Sequence, residues 1–146
     1  MASLVDTNIL VYRCDPRDPH KRAAAREILR AGEISGELRI PHQSLAEFVN
    51  SVTRLRGREA PIMGLADATR QAELFMAQFP VLYPNEAVFR MALLGKAAYG
   101  LPWYDAHLWA YAQHFGLPEI LSEDFEHGRR YGTVRIRNPF VERGLA

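Results

Sequence analysis

The sequence predicts an α/β fold, in which a mainly parallel sheet carries helices on both faces. Short apolar runs alternate along the chain with longer segments whose apolar residues recur at helical spacing. Proline, glycine and asparagine separate these segments, and such residues end strands and begin helices. Strands that alternate with helices in this way are typical of parallel sheets with helical layers.

The bulk composition limits the classes of protein to consider. A chain of 146 residues fits one domain, which we expect to span residues 1–146. Apolar residues make up 48% and charged residues 24%, as in a folded rather than a disordered protein. The single cysteine, Cys14, excludes an intrachain disulfide and a thiolate zinc cluster. No signal-peptide pattern and no membrane-spanning window occur, so we expect a cytoplasmic protein without membrane contact.

The strands are predicted from brief apolar runs bounded by residues that break regular structure. The first run stops at Asp6, the second at Pro41, and the third follows Pro80. A fourth run follows Pro118, and a fifth candidate lies near the C-terminus. The predicted strands are residues 4–5, 38–40, 81–83, 120–121 and 134–136.

The helices are predicted from spacing and from residues that begin or end helices. Apolar residues from Leu45 to Leu55 follow an i, i+3, i+4, i+7, i+10 pattern, with Gly57 as the end signal. Asn85 is a predicted N-cap, and the segment from Trp103 is apolar on almost every side, which indicates burial. The predicted helices are residues 7–12, 19–30, 45–55, 61–79, 86–99 and 103–115.

Two aspartates fall where parallel sheets of this type bind ligands, beyond the carboxyl ends of strands. Asp6 directly follows the first strand and Asp124 lies just after the fourth. Each has a simpler explanation, because aspartate also caps helices and favours turns. The sequence leaves both alternatives open.

Two further acids lie on predicted helices. Glu47 projects away from the apolar stripe of its helix, toward either solvent or a groove. Asp105 lies one turn before the apolar face of Leu108 and Trp109, where it could bind a cation or interact with the helix N-terminus. Neither alternative is decided by periodicity.

Together these four carboxylates from four segments predict a divalent cation. Carboxylates crowded without a cation would repel one another and raise each other's pKa values. Mg²⁺ and Mn²⁺ prefer oxygen ligands, and Mg²⁺ commonly uses one or two carboxylates with water and substrate phosphate. The five histidines are scattered and form no HExxH pair, which argues against a zinc hydrolase.

Four short motifs resemble those of PIN-domain ribonucleases, and of the VapC-type toxins among them. Residues 5–10 read VDTNIL, residues 44–48 read SLAEF, residues 103–108 read WYDAHL and residues 121–125 read LSEDF. The ending at residues 135–140, RIRNPF, is also typical of VapC-type members. The motifs occur in the order of the family and span nearly the whole chain.

The resemblance implies a three-layer α/β/α fold and a metal-dependent endoribonuclease that acts as a toxin. By position in the motifs, the acidic catalytic and metal site would comprise Asp6, Glu47, Asp105 and Asp124. Supporting polar residues would be Asn8 and Ser122, while Glu123 could share or replace the role of Asp124. The resemblance also implies Mg²⁺ or Mn²⁺ as cofactor, RNA as substrate, a homodimer and a cognate antitoxin.

Other functions fit the sequence less well. A receiver-type domain needs an acidic pair after the first strand, and a haloacid-dehalogenase-type phosphatase needs D-x-D there, whereas residues 6–8 read DTN. The remaining alternative is a catalytically inactive PIN-like module that binds RNA or protein.

The net charge is only +1, but basic residues cluster at 54–58 and 129–143, and these patches could contact RNA. Trp103 or Tyr104 could stack on bases.

Overall fold

The computed structural model of the protein describes residues 1–145 and contains six strands and seven helices in that range. The elements follow one another with short connections, so each helix lies close to the strands it links. In chain order they are β1 (Ser3–Val5), α1 (Thr7–Cys14), α2 (Pro19–Ser35), β2 (Leu38–Pro41), α3 (His42–Thr53), α4 (Leu65–Gln78), β3 (Val81–Leu82), α5 (Glu86–Tyr99), α6 (Trp103–His114), β4 (Glu119–Leu121), β5 (Arg130–Tyr131), β6 (Val134–Arg137) and α7 (Pro139–Glu142).

The strands form one sheet in the order β3-β2-β1-β4-β6-β5. Every pairing is parallel except that of β5 with β6, which is antiparallel. β1 lies inside the sheet, where Leu4 pairs with Arg39 of β2 and with Ile120 of β4. The chain therefore builds the sheet outward from β1 in both directions, and the predicted mainly parallel sheet is confirmed.

Helices cover both faces of this sheet. Successive strand residues point to opposite faces, and Val5 and Leu121 enter one hydrophobic core while Leu4 and Ile120 enter another. The first core contains buried residues of α1, α2, α3 and α4, and the second contains those of α5 and α6. The structure is thus a three-layer α/β/α sandwich, as the sequence predicts.

Several predicted boundaries are wrong. The helix predicted at 61–79 begins only at Leu65, and the helix predicted to end at Gly57 ends at Thr53. Between them the chain makes a turn in which Arg56 bridges to Glu59 and the Met63 N–H bonds the carbonyl of Val52. This tertiary hydrogen bond holds the segment out of helical geometry. The sequence pattern alone therefore extended both predicted helices into the segment that connects them.

Two short elements escaped the sequence analysis, whereas the fifth strand candidate is confirmed as β6. β5 has two residues and α7 has four, lengths at which no periodicity can be recognised. The predicted cap at Asn85 is confirmed, since its side chain accepts a hydrogen bond from the N–H of Val88. Within residues 1–145 no helix combines the length and the apolar composition needed to cross a bilayer.

α5 and α6 pack against each other at a glycine. A Cβ added to Gly95 of α5 would lie 2.5 Å from the Trp109 ring of α6. The ring is held there because its Nε1 donates to the carbonyl of Tyr131 at 2.9 Å. Glycine at this position therefore permits the close approach of the helix that carries Asp105.

We expect Gly95→Ala to destabilise the protein by about 1–3 kcal/mol through overpacking against Trp109. Helix propensity alone predicts the opposite sign, because alanine in a helix interior is favoured over glycine by about 1 kcal/mol. Chemical denaturation measures the difference. An increase in the free energy of unfolding would show that the two helices do not approach as closely as described.

Candidate metal and nuclease site

The predicted acids meet at the edge of the sheet where β1 and β4 end. In the strand order, the chain continues from β1 to β2 in one direction and from β4 to β6 in the other. Such a switch point creates a crevice beyond the strand ends. Asp6 follows β1 and Asp124 follows β4, while α3 and α6 bring Glu47 and Asp105. The four carboxylates are close enough to affect one another's pKa values. The charge of Asp124 raises the pKa of both Asp6 and Asp105, the charge of Asp105 raises that of Asp6, and the charge of Glu47 raises that of Asp105.

Asp6 is both a helix cap and a member of the acidic cluster. Its Oδ1 accepts the N–H of Thr7 at 2.7 Å, which caps α1, and its Oδ2 accepts the Ser122 hydroxyl at 2.5 Å. The pKa of Asp6 is raised to about 7. Burial is the largest cause; the hydrogen bond from Ser122 lowers the pKa, and the nearby charge of Asp124 raises it. The helix-capping alternative is therefore observed, and the same carboxylate also lies next to Asp105 and Asp124.

Glu47 points into the site rather than into solvent. Its Oε2 accepts the hydroxyl of Thr7 at 2.8 Å, and its Oε1 accepts Nε2 of Gln43 at 2.9 Å. The same Gln43 amide donates to the carbonyl of Tyr104 at 3.0 Å, which connects α3 to the first turn of α6. Gln43 was not predicted, and only its i, i+4 spacing from Glu47 could have signalled this role.

Asp105 lies in the first turn of α6, and no side chain caps that helix by a hydrogen bond. Burial, together with the charges of Asp124 and Glu47, raises the pKa of Asp105 to about 6. The carboxylate thus lies near the helix N-terminus without serving as its cap. Of the two alternatives from the sequence, capping is not used.

Asp124 lies at the outer rim and is connected to the cluster through Asn8. Its Oδ2 accepts Nδ2 of Asn8 at 3.2 Å, and its own N–H donates to the Ser122 hydroxyl at 3.0 Å. Burial and then the charges of Glu123 and Glu47 raise its pKa, against the hydrogen bond from Asn8. Ser122 therefore forms the predicted turn and also joins Asp124 to Asp6.

Asn8 is the central donor of the site. Its Nδ2 lies 3.2 Å from Asp6 Oδ2 and 3.4 Å from the Ser122 hydroxyl, in addition to its bond to Asp124. Its Oδ1 is buried and has no hydrogen-bond partner within residues 1–145. Both supporting residues that the sequence indicated, Asn8 and Ser122, thus contact the acids.

Glu123 turns away from the other acids. Its carboxylate forms an ion pair with Lys21 at 2.9 Å and accepts the Tyr12 hydroxyl at 2.6 Å. The Lys21 ammonium lies 4.8 Å from the centre of the Tyr12 ring and 5.3 Å from that of Phe140. Glu123 therefore joins α1 and α2 to the end of β4 through Tyr12 and Lys21, whereas Asp124 is the one of the two that bonds to Asn8.

Two of the four acids, Glu47 and Asp124, line a pocket of about 420 Å³ with a basic rim. Asp15 neutralises part of this rim, since its Oδ2 lies 2.6 Å from Arg17 and 4.0 Å from Arg56. Arg54 lines the pocket as well, and no carboxylate of residues 1–145 forms an ion pair with it. Glu47 lies on α3, and Arg54 directly follows the last residue of that helix as its C-cap.

The donor set suits a hard divalent cation. All candidate ligands are oxygens, the carboxylates repel one another, and the buried Oδ1 of Asn8 has no protein partner. Within the described chain, no three carboxylate, imidazole or thiol groups are close enough to enclose an ion unaided. Such a site fits Mg²⁺ or Mn²⁺ better than a structural zinc, because Mg²⁺ retains several waters and needs few carboxylates.

The two aromatic candidates differ in environment. Trp103 is half-buried and packs edge-to-face with Phe89 and His107, so it belongs to the second core. The Tyr104 side chain is 67% exposed, and it directly precedes Asp105. Only Tyr104 is therefore free to stack on a ligand.

A family model described as PIN domain matches residues 3–132 of the chain. Among solved structures, the chain is similar to DNA-bound VapBC from Salmonella typhimurium, with a TM-score of 0.71 and 14% identity over 95% of this chain and 98% of that one. It is also similar to VapBC2 from Rickettsia felis bound to a promoter DNA fragment, with a TM-score of 0.70 and 12% identity over 94% and 98% of the two chains.

A third similar structure is VapC20 from Mycobacterium tuberculosis, described as a Sarcin-Ricin loop cleaving toxin. Its TM-score is 0.67, with 14% identity over 84% of this chain and 90% of that one. These identities are low, so the likeness concerns the fold. No curated protein matches the chain by sequence.

We expect the metal-free protein to lose stability as the pH rises from about 4 to 7. Over that range folded Asp6 holds a proton that unfolded Asp6 has released, so the slope of unfolding free energy against pH is negative. Asp105 contributes in the same direction. Denaturation in EDTA at several pH values measures the slope.

Asp6→Asn should flatten this profile, because asparagine cannot titrate. The side-chain oxygen of asparagine can still accept the Thr7 N–H, and any changed hydrogen bond shifts stability equally at every pH. Parallel profiles for wild type and variant would contradict the raised pKa of Asp6.

A double-mutant cycle of Lys21→Met and Glu123→Gln should give a coupling of about 1 kcal/mol, since the side chains of the pair are only 17% and 22% exposed. The Glu86–Arg90 pair, with exposures of 78% and 73%, is the matched control and should give a smaller coupling. Equal couplings would mean that the Lys21 contact contributes no more than a surface ion pair.

Proposed function

We propose that this chain, which belongs to the PIN-domain family, is a metal-dependent endoribonuclease that acts as the toxin of a type II toxin–antitoxin pair. One observation carries the nuclease proposal. Four carboxylates from four separate segments share one crevice, and burial with mutual repulsion raises the pKa of three of them. Such an arrangement costs stability and is typical of a site built to bind a cation.

Mg²⁺ or Mn²⁺ would be held first by Asp6 and Asp105, with Glu47 and Asp124 binding metal-bound waters or a second ion. When bound, the cation lowers the pKa of a coordinated water and stabilises charge on the phosphate oxygens. The chain's own residues orient these acids. Ser122 and the Thr7 N–H fix Asp6, while the Thr7 hydroxyl and Gln43 fix Glu47.

Substrate contacts follow from the groups around the acids. Arg54 can bind a phosphate of the RNA backbone next to the cleaved bond. The exposed Tyr104 ring beside Asp105 can stack on an unpaired base, which favours single-stranded or looped RNA. An arginine and an aromatic ring that both contact the RNA would orient the phosphodiester bond.

The likeness to VapBC complexes supports a cognate antitoxin as partner, and the likeness to a toxin described as cleaving the Sarcin-Ricin loop supports RNA as substrate. We extend the proposal to a homodimer in the cytoplasm. These assignments depend on similarity of fold, whereas the acidic crevice is a property of this chain.

The test is cleavage of end-labelled RNAs, tRNA and ribosomal RNA fragments included, with Mg²⁺ or Mn²⁺ and with EDTA. Asp105→Asn should lower the rate by at least about a hundredfold, since loss of groups that merely support a metal site costs 10–100-fold. Glu86→Gln is the matched control, because Glu86 lies in the first turn of α5 as Asp105 lies in that of α6.

Cleavage that persists in EDTA or in Asp105→Asn would contradict the assignment. A folded protein that binds RNA but cuts none of the substrates would favour the inactive binding module instead. Circular dichroism of each variant establishes that a lost activity is not a lost fold.

A further inference from the structure

A second concave surface lies between α1, α2 and α4, and none of the four acids lines it. Its volume is about 740 Å³, larger than that of the acidic pocket. We call it the arginine cleft, after the five arginines that line it: Arg13, Arg22, Arg26, Arg30 and Arg70. A concave surface with so many cations focuses a positive potential on whatever enters it.

Most of this charge is uncompensated. Among residues 1–145, the only carboxylates that line the cleft are Glu33 and Asp67, and Asp67 is already paired with Arg70. Within residues 1–145, no carboxylate forms an ion pair with Arg22, Arg26 or Arg30. The Nε of Arg22 is buried and lacks an acceptor among these residues. Buried donors without an acceptor are costly, so a ligand that supplies anionic oxygens would be stabilised here.

Three of the arginines form a regular series along α2. Arg22, Arg26 and Arg30 recur every four residues, which places them on one side of the helix about 6 Å apart along its axis. A ligand that matches this series carries negative charges repeated at a comparable interval. The phosphates of an extended nucleic-acid strand have such a repeat.

The cleft offers little to a peptide ligand. Peptide grooves hold their ligands by apolar anchor residues inserted into pockets. The large apolar side chains Leu29 and Phe79 are only 2% and 4% exposed, because the protein's own core already covers them. Met63 adds one partly buried apolar side chain, whereas five of the thirteen lining residues are arginines, which favours a sugar-phosphate backbone over an acidic protein segment.

The arginine cleft is adjacent to the acidic pocket along the chain. On α1, Tyr12 lines the pocket and Arg13 lines the cleft. On α2, Lys21 pairs with Glu123 at the rim of the pocket, and Arg22 lines the cleft. The same two helices, α1 and α2, therefore contribute residues to the cleft and to the pocket or its rim.

We propose that the arginine cleft binds the backbone of the RNA substrate at a distance from the cleaved bond. This proposal rests on the proposed nuclease function and adds a second site of contact. The contact is to phosphates, so it increases affinity for long RNAs without selecting a sequence.

Binding is measured by fluorescence anisotropy with a labelled oligouridylate of about twenty nucleotides, in EDTA and at a series of salt concentrations. The triple variant Arg22→Gln, Arg26→Gln, Arg30→Gln should reduce the slope of log affinity against log salt by about 2, or about 0.7 for each lost phosphate contact. The control is Arg39→Gln, Arg90→Gln, Lys96→Gln, which removes equal charge outside the cleft, the acidic pocket and the two basic patches and should change the slope much less.

Cleavage kinetics separate this proposal from the proposed function. In the α2 triple variant, KM should rise for a long RNA and stay unchanged for an oligonucleotide of about six nucleotides. A slope equal to that of the control triple, or equal losses for both RNA lengths, would overturn the cleft proposal while leaving the nuclease intact. A short polyglutamate peptide with the same charge as the RNA serves as competitor in the same assay. If it displaced the RNA and bound with equal affinity, the cleft proposal would be overturned in favour of an acidic protein segment as ligand. Absence of cleavage by the wild type would contradict the nuclease, whereas the difference in salt slope would still support the cleft.

Discussion

The fold and the site depend on one buried carboxylate, that of Asp6. It lies at the end of an interior strand, where an unsatisfied charge would be prohibitively costly. Both oxygens are therefore engaged, one by the N–H that begins α1 and the other by Ser122 after β4 and by Asn8. These bonds fix where α1 begins and how the segment after β4 leaves the sheet. They also leave a carboxylate whose pKa lies far above its usual value, close to Asp105 and Asp124.

The sandwich architecture explains how the acids converge without sharing an element. Glu47 comes from α3 in one helical layer, Asp105 from α6 in the other, and Asp6 and Asp124 from the ends of neighbouring strands. Each acid is held by a separate part of the hydrophobic core, so their repulsion is resisted by packing in both layers. The close contact of Gly95 with Trp109 is part of this restraint, since it sets the position of α6.

Charge is distributed more unevenly than a net value of +1 suggests. Acids gather in one crevice, arginines gather in the cleft between α1, α2 and α4, and Asp15 and Glu123 neutralise the cations between them. The Lys21–Glu123 pair lies at the boundary of the two surfaces and joins α1 and α2 to the end of β4. A ligand with repeated negative charge could contact both surfaces, whereas a bound cation would be confined to the acidic one.

By itself the sequence determined the α/β class and the parallel sheet, because the alternation of apolar runs is a local feature. The four candidate acids were indicated by the resemblance of their motifs to those of a family. The sequence could not decide whether Glu47 faces solvent or the site, nor which of Glu123 and Asp124 joins the cluster. Those outcomes depend on partners distant in the chain, Thr7 for Glu47 and Lys21 for Glu123. The arginine cleft likewise exists only after folding, since α4 must pack beside α2 before their cations share one surface. The local pattern fixes which residues are available to form a site. Tertiary packing decides which of them lie close together and which of their charges interact.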